Sequence, residues 1–89
     1  MAEMPTKADL KDVFETLRTV ARSIGFDVSQ WEMISRNGAW LIQKRDDGRY
    51  VDTELPKHIA EVSDPETTYN RLADYIAAFT AVRNLRAGG

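Results

Sequence analysis

Two alternating runs meet at Asn37-Gly38, and a long stretch of helical periodicity lies on each side of the pair. Asn and Gly both tolerate the positive φ that a two-residue type I′ turn demands, so the pair is a strong hairpin signal. The alternation runs over Gln30–Arg36 and resumes over Ala39–Arg45. Folding one run onto the other sets Ser35 opposite Trp40, Ile34 opposite Leu41, Met33 opposite Ile42 and Trp31 opposite Lys44. One face then carries Trp31, Met33, Trp40 and Ile42 and is the expected core face. The other carries Glu32, Ile34, Arg36, Leu41, Gln43 and Arg45. Asp46-Asp47-Gly48 reads as a second turn and Arg49–Thr53 as a short third strand, whose register leaves open whether Tyr50 or Val51 points inward.

The stretch before the hairpin predicts a helix over about 7–24. Thr6 is a suitable N-cap, with Asp9 three residues later giving a weaker form of the capping box, and Met1–Pro5 is expected to be disordered. Leu10, Val13, Phe14, Leu17, Val20, Ala21 and Ile24 follow at helical spacing and cover an arc of roughly 120°, the width of one core contact. Gly25 fits the left-handed C′ position and Phe26 the apolar contact that goes with it.

Beyond the third strand, Pro56–Val62 could form one helical turn, because proline suits a helix start, and the pattern leaves open a strand instead. Ser63-Asp64-Pro65-Glu66 then opens a second long helix, predicted to run to about Arg86. This helix has two apolar stripes. Tyr69, Leu72, Ile76 and Phe79 form one; Tyr75, Ala78, Val82 and Leu85 form the other. Together they span roughly 200°, more than one neighbour needs. Either the helix is wedged between the first helix and the sheet, or the second stripe is a homodimer or partner interface. The whole is a single α+β domain over residues 6–87, with a short antiparallel meander in the order α-β-β-(β)-α packed against two long helices.

Composition removes several functions. A chain of 89 residues holds one domain, and the lack of cysteine removes disulfides, thiolate metal sites and thiol nucleophiles. No apolar run approaches a membrane span, and the expected location is cytoplasmic. The net charge of −2 is spread evenly along the chain, without the concentrated positive face that phosphate backbones require. His58, near Glu61 and Asp64, has no nucleophile tied to it by motif, and Asp46, Asp47 and Asp52 lack the spacing of a calcium loop. No glycine-rich phosphate loop occurs. No catalytic, metal or cofactor residue is therefore expected. The candidates are interaction residues: Ile34, Arg36, Leu41, Arg45 and Tyr50 on the outer hairpin face, and Tyr75, Val82 and Leu85 on the second stripe. A face mixing Arg, aliphatic and aromatic groups has the composition of a protein-binding hot spot. A nucleic-acid module using Arg36, Lys44, Arg45 and Arg49 is the alternative.

With a third strand, the element order resembles that of the double-stranded-RNA-binding domain. The likeness is one of topology. That family opens its last helix with a lysine cluster, whereas Ser63-Asp64-Pro65-Glu66-Thr67 is acidic here, so no RNA-contacting residue carries over. The short, Arg- and Ala-rich, cysteine-free chain is also similar in style to small accessory, host-modulating proteins of phages and mobile elements. The expected function is a non-enzymatic protein-interaction module.

Overall fold

A computed structural model of the chain describes residues 4–88. Of the disordered Met1–Pro5 stretch expected from the sequence, the first three residues lie outside those described; Met4 and Pro5 belong to no helix or strand. The elements are α1 (Lys7–Ser23), β1 (Trp31–Arg36), β2 (Ala39–Asp46), β3 (Arg49–Asp52), β4 (His58–Glu61) and α2 (Pro65–Gly88). They form a small α+β domain with a four-stranded antiparallel sheet.

Local chemistry accounts for the ends of α1. The Thr6 hydroxyl accepts from the Asp9 amide at 3.2 Å, and the Asp9 carboxylate accepts from the Thr6 amide at 2.9 Å, which completes the capping box. At the other end Gly25 has φ +105°, and its amide donates to the Arg22 carbonyl while the Phe26 amide donates to that of Ala21. This is the Schellman pattern, and it satisfies two carbonyls that the helix leaves unpaired. Between the caps, Leu10, Val13, Phe14, Leu17, Val20 and Ala21 are buried along one stripe, as their spacing requires.

The hairpin has the predicted register, with Arg36 opposite Ala39 and Trp31 opposite Lys44. Asn37 and Gly38 have φ of +54° and +78°, and Asp47 and Gly48 repeat the pattern at +54° and +76°. Two-residue turns with positive φ thus join β1 to β2 and β2 to β3. Tyr50 pairs with Arg45 and Val51 with Lys44, so Tyr50 lies on the outer face and Val51 on the helix side.

Of the two forms left open for residues 56–62, the helical turn does not occur. His58–Glu61 is a strand that pairs with the first half of β2, in line with β3 on the same edge. Trp40 opposes Ala60 while Leu41 opposes His58, so Ile59 is an extra residue in β4. This bulge lets Ile59 and Ala60 both be buried.

Asp64 caps α2 by accepting from the Thr67 amide at 3.0 Å, with Pro65 at the first helical position. The Thr67 hydroxyl, more than its amide, holds the Asp64 carboxyl below the usual carboxylate range. The two helices run parallel along the same side of the sheet. Near their starts Asp9 and Asp12 share a groove with Tyr69 and Ala73, and near their ends Arg86 donates to the Ile24 carbonyl at 2.5 Å. The core lies between the layers: Val13, Phe14, Leu17 and Ala21 meet Val28, Trp31, Ile42, Ile59 and Leu72. Met33 and Trp40 pack at its margin, so the tryptophan face is the core face. Burying each of the larger aliphatic side chains contributes about 1.5–3 kcal/mol.

Candidate functional site

With both helices on one side, no helix among the described residues lies over the other face of the sheet. The register places Glu32, Ile34 and Arg36 of β1, Leu41, Gln43 and Arg45 of β2, Tyr50 and Asp52 of β3 and His58 of β4 on that outer face. Tyr50 is its organising residue. Arg45 donates to the Tyr50 hydroxyl at 3.1 Å and lies 5.0 Å from the ring centroid; Arg36 approaches the same ring at 5.7 Å. Arg45 also pairs with Glu32 at 2.9 Å. The Tyr50 hydroxyl first, and Glu32 second, raise the Arg45 pKa above its ordinary value.

Two residues of this face are buried all the same. Leu41 is 7% exposed and Gln43 5%, although no helix covers them. Arg36 and Arg45 start from opposite ends of the hairpin, yet both reach one ring. The Tyr50 ring and the two arginine stems therefore share the outer face with Leu41 and Gln43. Gln43 donates to Asp52 at 3.1 Å on the same face. Of the outer-face candidates, Arg36 and Arg45 are exposed, Ile34 and Tyr50 half-buried, and Leu41 buried as part of the floor. Glu32 was not singled out in the sequence; the signal was its diagonal position, two residues along from the cross-strand partner of Arg45.

The four basic residues of the nucleic-acid alternative do not converge. Arg36 and Arg45 share the outer face, whereas Lys44 and Arg49 occupy helix-side positions in the register. Glu32 and Asp52 add negative charge to the outer face. His58 is exposed beside Leu41, and Glu61 opposes Ala39 at the far end of β4. Among the described residues no group of three His, Cys, Asp or Glu side chains is placed to hold a metal ion.

The second-stripe candidates separate along α2. Tyr75 is half-buried and packs against the core, while Val82 is 38% exposed and Leu85 75%. They lie on the helix side of the sheet, so the structure does not bring them together with the outer-face residues. Among the described residues no helix is long and apolar enough to cross a membrane. No family model, no curated protein and no solved structure matches the chain.

Proposed function

We propose that this chain is a non-enzymatic protein-interaction module that binds a protein partner through its outer sheet face. The observation that carries the reading is the Tyr50 ring held between Arg36 and Arg45, with Ile34 on the same uncovered face. Tyrosine and arginine are the residues that most often dominate binding energy at protein interfaces. Here their rotamers are already constrained by contacts with each other, which lowers the ordering cost of association. Acting in the cytoplasm as an accessory protein of the phage or mobile-element kind fits the cysteine-free, Arg- and Ala-rich chain.

The test is affinity capture with the wild-type chain and with Tyr50→Ser, each with and without nuclease. The expected result is a protein retained through nuclease by the wild type and lost by Tyr50→Ser, with thermal unfolding confirming that the variant folds. Complete loss of captured material on nuclease treatment would replace this reading with nucleic-acid binding by Arg36 and Arg45.

A further inference from the structure

The two edges of the sheet differ in how they are guarded. One edge consists of β3 and β4 placed end to end, each four residues long, with a bulge at Ile59. Short strands and bulges are the usual devices that stop an edge from recruiting another strand. The other edge is β1, a six-residue strand without proline or bulge. A groove between α1 and this strand is lined by Lys11, Phe14, Glu15 and Arg18 of α1 and by Trp31, Glu32 and Met33 of β1. Among the described residues β1 pairs with β2 alone, so this edge carries no strand.

The hydrogen-bonding phase of β1 can be read from its partner. Arg45 donates its amide to the Gln30 carbonyl, and a two-residue turn makes Arg36 and Ala39 a bonded pair. Gln30, Glu32, Ile34 and Arg36 therefore bond inward to β2, and Trp31, Met33 and Ser35 direct their backbone groups outward. The Trp31 amide is already used, donating to Val28 at 3.1 Å. The complete unpaired sites on the edge are those of Met33 and Ser35.

We propose that β1 pairs antiparallel with β1 of a second copy of this chain, about a twofold axis at Ile34, joining two sheets into one. Only this register uses the free sites alone: Met33 bonds with the partner's Ser35, and Ser35 with the partner's Met33. A shift of one pair toward Trp31 would need its occupied amide. The same register is chosen by charge. It sets Glu32 opposite the partner's Arg36 twice over, and Ile34 against the partner's Ile34 at the axis. Sliding the other way by two pairs would bring the two Arg36 guanidinium groups together, and like charges directly opposite are unfavourable. The sequence Glu32-Met33-Ile34-Ser35-Arg36 is thus self-complementary about its centre. The inference rests on reading the chain as an interaction module and extends it, because two Tyr50 faces would become continuous.

The full chain supplies its own test, since it contains no cysteine. A non-bonded antiparallel pair has Cα atoms about 4.5 Å apart, within disulfide range. Ile34→Cys is expected to form a covalent dimer on mild oxidation, while Leu85→Cys stays monomeric. By sedimentation, Glu32→Arg and Arg36→Glu should each weaken the dimer about tenfold or more, and the double reversal should restore it. A monomeric wild type at millimolar concentration, or a dimer indifferent to both single reversals, would overturn the proposal. Either outcome leaves the capture experiment with Tyr50→Ser free to decide the outer-face reading separately.

Discussion

The two helices lie side by side on the same sheet, yet they are buried in opposite ways. α1 has 17 residues and presents a buried side chain on every turn from Leu10 to Ala21. α2 has 24 residues, and only Thr68 and Leu72 are buried, both in its first third. Length accounts for part of the difference. At 1.5 Å per residue α2 exceeds α1 by about 10 Å, and the helices start level, so the end of α2 overruns its neighbour. From Ala81 onward every described residue of α2 is exposed. The last two ties are the Phe79 ring, 5.5 Å from that of Phe26, and the Arg86 contact with the Ile24 carbonyl. An apolar pattern therefore reports what a helix can bury; the extent of the surface beneath it sets what is buried.

The comparison is sharpened most by a deletion in the centre of α1. Leu17 has no exposed surface and belongs to the cluster that joins α1 to Trp31 and Ile42. Leu17→Ala loses the transfer energy of the missing atoms and leaves a cavity in a close-packed site, so it should cost about 3–4 kcal/mol in urea unfolding. A cost below about 1 kcal/mol would mean that the layer between α1 and the sheet collapses around the gap, and the contrast with α2 would fail.

Much of this layout was legible because local rules acted without opposition. Thr6 with Asp9, Gly25 with Phe26 and Asn37-Gly38 each describe a structure closed within a few residues, and each formed as expected. The tryptophan face followed from alternation alone. β4 was not legible, because the bulge at Ile59 places two adjacent residues in the core and breaks the period of two, while Pro56 reads as a helix start. The burial of Leu41 and Gln43 was equally hidden. Both residues lie on a face where a ring from β3 meets guanidinium groups from β1 and β2, an assembly that no single segment displays. The same holds for the separation of Lys44 and Arg49 from Arg36 and Arg45, since it required the register of all three strands.

The cap of α1 offers a smaller effect. Gly25 stands at φ +105°, and nothing lies within 4 Å of a Cβ built there. Gly25→Ala therefore meets no steric neighbour, and its penalty comes from the backbone alone, about 1–2 kcal/mol. Thermal unfolding would report it as a lowered midpoint with unchanged helical circular dichroism. A neutral result would show that the Schellman turn relaxes into another C-cap, and that the Arg86 contact at Ile24 does not fix this corner.

The smallest effect is expected where α2 is most apolar and least covered. Leu85→Lys replaces an exposed leucine with a residue of similar helix propensity, and a cation near a helix C-terminus is favourable. Stability should stay within about 0.5 kcal/mol of the wild type. The mass in solution should not change, because β1 joins the proposed dimer and the end of α2 takes no part in it. A loss of mass or a fall of more than about 1 kcal/mol would show that Val82 and Leu85 are covered in solution. The difference between the helices would then be one of partner: α1 completed by its own sheet, α2 by a second chain.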